Sequence, residues 1–388
     1  MKKFHLFLVM LVLVLASLPS ARAEDSPKAK VDLGRNAALL YWVAFDQYDA
    51  AVKGESFAKA INEYEQVAID AKLLAALKDS TTLTTFRMAA KMEACDWGTG
   101  TMLAEQGPHT LMPHLQRCRQ MARLGLLSAR ANLINKKGDA AVEDLLAVHA
   151  LARHSQSGGV IISFLVGISI ESMVNQFVAN HLALFDDQSL RSLADQLRKS
   201  PAMLTSRDSI LAEREGFGPW IRREVVKLKD RSRREKLLAL LQDDEQGKQL
   251  AQLIEKNPEE VAVMVDDMLK LYSELAGTCD LPIGEARKAQ AEWSKRIADT
   301  TNVVAKMLMP AFARVDETYR RSLTMNALVH AVITLRLDGR AAFDAIKDPH
   351  GDGPFTIKST DEGIEVSSKF DSQHKQPAVL KVKWKPAP

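Results

Sequence analysis

The chain has 388 residues, 46% of them hydrophobic and only 6% aromatic, with 52 Lys and Arg against 49 Asp and Glu. Three basic residues, Lys2, Lys3 and Arg22, lie in the first 23 positions, so the remainder is electrically balanced. It carries no cationic excess of the kind that nucleic acid or anionic lipid demands, and neither is expected as a partner.

Met1-Lys2-Lys3 is followed by an apolar run from Phe4 to Ala16, then Pro19 and Ala21-Arg22-Ala23 ahead of Glu24. This is the layout of a secretory signal peptide (1–23) cleaved after Ala23, and it predicts a periplasmic or secreted protein. The run is too short to span a bilayer, and no transmembrane segment is expected after cleavage. No cysteine lies near the cleavage site, which argues against a lipoprotein.

Apolar residues then recur at helical spacing from Leu33 to Ile346, which predicts a mainly α fold. Helices are expected at about Leu33 to Val52, at Ser56 to Leu77, and from an N-cap at Ser80 to near Trp97. A loop follows. The next helix starts at Pro113 and runs to Asn135, where Lys136-Lys137-Gly138 stops it and Asp139 caps its successor. "ARANLINKKGDAAVEDLLAVHALARH" has the layout of a tetratricopeptide-like hairpin, but no strict period repeats, so a degenerate helical array is predicted over 24–200. Gly158 to Phe185 is the most apolar stretch and reads as a buried core helix.

Pro201, Pro219, Pro258, Pro282 and Pro310 punctuate a second helical region, 201–347, which is denser in charge. Its most basic part, Arg222 to Lys236, also holds Glu224, Asp230 and Glu235 and reads as a solvated helix face. Further on, "RSRREKLLALLQDDEQGKQLAQLIEKNPEEV" has the charge alternation of an exposed helical hairpin. From Asp348 the period changes to two. "FTIKSTDEGIEVSSKF" and "AVLKVKW" predict a small antiparallel β tail over 348–388, packed on the helices through Phe355, Ile357, Ile364 and Val366.

No HExxH, phosphate loop, G-x-S-x-G or paired CxxC is present, so the sequence names neither a reaction nor a cofactor. The stretch "CDWGTGTMLAEQGPHTLMPHLQRC" holds two of the three cysteines. Cys95 and Cys118 lie equally far from Gln106-Gly107, so a helical hairpin brings them together at its loop end, and an oxidising compartment favours a disulfide. Buried free thiols are the second reading. A metal site made by Cys95, His109, His114 and Cys118 is the third, since His114 and Cys118 are one helical turn apart. Cys279 is left over and is expected to be a buried thiol.

His149, on an apolar face with Val142, Leu145 and Ala152, reads as a hydrogen-bonded core histidine. Glu171 and Asn175 put a carboxylate and an amide into the most apolar helix. Such a carboxylate needs a partner or a raised pKa, and an arginine is the expected partner. Glu171, Asn175 and His149 are the candidates should a catalytic or ligand pocket exist, with Glu213 and Glu215 next.

"CDWG", "GPHTLMPHLQRCRQMARLGLLSAR", "GDAAVEDLLAVHALARH" and "LVGISIES" resemble a family of exported bacterial α-helical proteins, from Asn36 to the tail. The resemblance implies export and a helical array ending in a short strand-rich segment, and it supplies no site residues. The tail "DPHGDGPFTIKSTDEGIEVSSKF" also resembles the C-terminal turn and hairpin of pseudopilin-like secretion proteins. The chain's start, lacking a prepilin-peptidase stretch, does not, and a pilin role is not implied. Together these features predict a scaffold that binds a protein or peptide partner along a concave helical surface, the alternative being an envelope hydrolase or small-ligand protein with a pocket near Glu171.

Overall fold

The computed structural model describes residues 35–51, 55–227, 230–232, 235, 245–309, 312–351, 353–370 and 378–386. The proposed signal peptide, residues 233–234 and 236–244 of the charge-alternating hairpin, and Pro310 lie outside them. The architecture is mainly helical, with a small three-stranded antiparallel sheet at the C-terminal end.

The helices in chain order are α1 (Ala37–Ala51), α2 (Glu55–Asn62), α3 (Ala71–Lys78), α4 (Thr81–Ala90), α5 (Thr99–Gln106), α6 (Pro113–Ile134), α7 (Gly138–Ser155), α8 (Ile161–His181), α9 (Asp187–Lys199) and α10 (Ser206–Lys227). They continue with α11 (Glu245–Lys256), α12 (Pro258–Thr278), α13 (Ile283–Asp299), α14 (Val303–Leu308) and α15 (Ala313–Asp344). The strands are β1 (Thr356–Ser359), β2 (Ile364–Ser367) and β3 (Val379–Val382).

Local chemistry explains the boundaries. Ser80 caps α4 as expected, its Oγ accepting the Leu83 N–H at 3.2 Å. The helix expected over Ser56 to Leu77 is instead two, because Asp70 caps α3 through the Leu73 N–H (2.7 Å). The intervening turn is tied down by Arg130, which donates to Tyr64 O and Val67 O. α4 stops at Ala90 rather than near Trp97, since the chain leaves it to run beside Asn36, and the expected loop contains α5. Asp139 is a first-turn residue of α7 and does not cap it. Pro219 does not break α10; the helix runs through it, next to a buried Gly218.

Two large buried cores result among the described residues, with a small third cluster of Phe164, Ile168 and Val315. The larger gathers α1, α4, α6, α7, α8 and α9 around residues such as Tyr41, Phe86, Met121, Leu145 and Phe177. The second, built by α10 to α14, centres on Ile210, Met268, Tyr272, Trp293 and Ile297. They do not follow a boundary between 201–347 and the rest. α15 leaves the second region and returns its own Leu328, Val329 and Val332 to the first core.

The sheet has order β1-β2-β3, with Ile357 opposite Val366 and Val366 opposite Leu380. Its inner face (Phe355, Ile364, Val366, Leu380 and Val382) belongs to the first core, and Ile357 packs on that core half-buried. Lys383 N–H donates to Ala179 O at 3.1 Å, fixing the sheet to α8. Ile161–Leu184 is long and apolar enough to cross a membrane, with mean hydropathy 1.6. In this fold α7, α15 and β3 pack against it and bury Phe164, Ile170, Val174 and Phe177.

Candidate functional site

The seam between α8 and α15 receives the two polar side chains that the sequence singles out. On α8, Glu171 and Asn175 are one turn apart and therefore share a face; on α15, Ser322 and Asn326 do the same. Ser322 Oγ donates to Glu171 Oε2 and Asn326 Nδ2 to Glu171 Oε1, both at 2.9 Å. Asn175 Nδ2 donates to Asn326 Oδ1 at 2.6 Å. Glu171 is 7% exposed and Asn175 8%.

The arginine partner expected for Glu171 is not there: both donors are neutral. Burial pushes its pKa up, and the Ser322 and Asn326 hydrogen bonds offset only part of that. A raised carboxyl pKa is one requirement of general acid–base chemistry, and room for a substrate is another. Two surface recesses lie elsewhere. One, of about 90 Å³, sits between α9 and α15 beside Arg191, Arg198 and His330. The other is a shallow depression along α13 at Lys295 and Arg296.

His149 does not join the seam. It is half-buried on α7, and burial followed by the nearby Arg153 drives its pKa down to about 4, so the ring is neutral at pH 7. The core histidine with a clear partner is His154, whose Nδ1 meets Tyr41 Oη at 2.8 Å. The hydrogen bonds of the seam therefore include Glu171 and Asn175 but not His149.

A second polar stripe on α15, at Asp316, Arg320 and Thr324, escaped the sequence reading. Asp316 accepts from Ser206 Oγ (2.6 Å), Gln290 Nε2 (2.9 Å) and Arg320 Nε (2.7 Å). Arg320 also donates to Cys279 O and Leu281 O. Thr324 meets His350 Nε2 at 2.8 Å, and Asp348 accepts from His350 N–H, Ser368 Oγ and Lys369 N–H. The recurrence of polar residues every four positions was the available signal. Its product is a tie joining α10, α13, α15 and the β tail. Cys279 lies against this tie; burial, then Asp316, raises its thiol to about 12, the opposite of an activated nucleophile.

The stretch from Cys95 to Cys118 does not form a metal site. His114 is buried and stacks on Trp97 (4.6 Å between centroids, 14° between planes), whereas His109 stands edge-on to Trp220 of α10. Among the described residues no three ligating side chains converge. Burial lowers the pKa of His114 to about 4. The bridge expected between Cys95 and Cys118 is not formed in the structure, where both are free thiols with Cys279. Cys95 is half-buried at the base of α1, and Cys118 is fully buried in α6.

Glu213 is better placed than Glu215, which is exposed and paired with Arg214. Glu213 Oε2 accepts the Ile161 N–H at the start of α8 (2.9 Å), and burial raises its pKa to about 7. The described basic residues after Arg222 are engaged locally: Arg222 with Asp266, Arg223 with Ala104 O, Lys227 with Glu224 and Arg231 with Glu235. Comparison with family models, curated proteins and solved structures finds no match to this chain.

Proposed function

We propose that this chain is an exported α-helical scaffold that engages a protein or peptide partner through an apolar helix face. The observation that carries this reading is the outer side of α1. Leu39 (44% exposed), Trp42 (42%) and Val43 (48%) recur at i, i+3 and i+4, opposite the buried Tyr41, Ala44, Phe45 and Tyr48. A helix apolar on both sides has buried only one of them within the monomer.

Trp42 is also held in place. Its ring stands edge-on to Phe45 (5.5 Å, 84°) and Trp97 (6.1 Å, 83°), so little side-chain freedom is lost on binding. Tryptophan is the residue type most concentrated at binding hot spots, and Asp46 with the Asp49–Arg117 ion pair supplies a polar rim. The partner that fits is a segment presenting apolar side chains, such as an amphipathic helix. The leader-like start and the likeness to exported helical proteins support the export half of the reading. The hydrolase alternative is less well supported, because Glu171 and Asn175 are covered by α15.

A photo-crosslinking residue at position 42 tests the proposal, with position 84, exposed on α4, as the control. The expected result in the native envelope is one defined adduct from position 42, lost when Leu39 and Val43 become Ser, and none from position 84. Identical products from both positions, or none from 42, overturn it.

A further inference from the structure

The segment Ala94 to Trp97 is extended and edge-bonded to Asn36. Ala94 O accepts the Ala37 N–H (2.9 Å), Asn36 Oδ1 accepts the Asp96 N–H (2.8 Å), and Asn36 Nδ2 donates to Asp96 O (2.8 Å). Its side chains alternate: Ala94 and Asp96 are exposed, while Cys95 and Trp97 turn inward. Two extended residues advance about 6.6 Å, and one turn of α6, from His114 to Cys118, advances about 6 Å.

The Trp97–His114 stack pins one end of the segment to one end of that turn. With the two running antiparallel around the loop, the matched spacing lays Cys95 beside Cys118. Tyr41 lies against both: its ring is 5.7 Å from Trp97, and its hydroxyl is raised by burial first and then by each thiol, Cys95 and Cys118. Cys118 in turn is influenced by Cys95.

We propose that Cys95 and Cys118 form a thiol-pair modification site, which a low-molecular-weight disulfide closes into an intramolecular disulfide, Cys95 being the entry thiol and Cys118 the resolving one. Cys95 gives its proton to solvent and its thiolate attacks one sulfur of the oxidant, releasing the first thiolate, which is protonated. Cys118 then loses its proton and attacks the Cys95 sulfur of the mixed disulfide, expelling the second. Two protein thiols are oxidised and the oxidant is reduced to two thiols. The order follows from access, since Cys95 is half-buried and Cys118 is 0% exposed.

Burial holds the Cys95 thiol at about 12 and raises Cys118 as well, so closure is slow at neutral pH and accelerates about tenfold per pH unit. Export would supply the oxidising setting, but the chemistry is independent of any partner. Cys279, among Ser206, Asp316 and Arg320, is the internal control.

The test incubates the purified, reduced chain with oxidised glutathione at pH 7 and pH 9 and counts thiols after unfolding. The expected count falls from three to one, with the mass lower by two hydrogens and a Cys95–Cys118 peptide link that forms faster at pH 9. Cys118→Ser is expected to trap glutathione on Cys95, whereas Cys95→Ser leaves Cys118 unmodified. Three remaining thiols in wild-type protein of unchanged circular dichroism, or a link that includes Cys279, overturn the proposal.

Discussion

Replacing Glu213 with Gln asks whether the carboxyl at the start of α8 is as poorly solvated as its position implies. Glu213 accepts one backbone N–H and has no cation among its influences, and its pKa rises from 4.5 to about 7. Between those values the folded state holds a proton that the unfolded chain has already lost. Wild-type stability contributed by this group is therefore complete below pH 4.5 and is lost as pH rises to 7. At about 1.4 kcal/mol per pH unit, the interval amounts to at most about 3 kcal/mol. Gln keeps an acceptor for the Ile161 N–H and does not titrate. Urea unfolding followed by circular dichroism from pH 4 to pH 8 should show near-equal stabilities at pH 4. The variant should become more stable by up to about 3 kcal/mol at pH 8. Asp144 and Glu171, whose pKa values burial also raises, titrate in both proteins and cancel in the difference. A difference that stays flat across this range would refute the desolvation argument.

Two further substitutions probe how the body holds together. Asp144 is 0% exposed and accepts from Arg87 Nε (2.7 Å) and Asn132 Nδ2 (2.9 Å), so Arg87→Ala strands a buried charge. The expected loss is about 3–5 kcal/mol in chemical denaturation, mostly recovered by adding Asp144→Asn; a loss below about 1 kcal/mol contradicts it. Gly107 has φ 60°, and a Cβ there would enter the indole of Trp220. Gly107→Ala should cost about 1–3 kcal/mol and shift tryptophan fluorescence to the red as Trp220 becomes wet. An unchanged emission maximum at full stability would show that α5 and α10 do not depend on this contact.

Glu171 shows where reading from sequence stops. Its burial was legible, because one carboxylate in a run such as "FLVGISIESMVNQF" has no solvated face to occupy. Its partners were not, since Ser322 and Asn326 lie about 150 positions away and only the docking of α15 on α8 brings them close. The α15 stripe of Asp316, Arg320 and Thr324 was visible as a spacing and meaningless until α10, α13 and the tail came to it.

By itself the sequence determined what short-range physics controls: helical periodicity, the Ser80 cap, the start at Pro113, the turn before α7, and the change to period two that makes the C-terminal sheet. Each depends on groups within a few residues of one another. Tertiary structure alone decided what depends on long-range partners. It sent α15 back into the first core and gave Glu171 neutral donors instead of an arginine. It also stacked His114 on Trp97 while standing His109 edge-on to Trp220. It left Leu39, Trp42 and Val43 outward on a helix whose other side was already filled, because only packing decides which apolar face a helix buries.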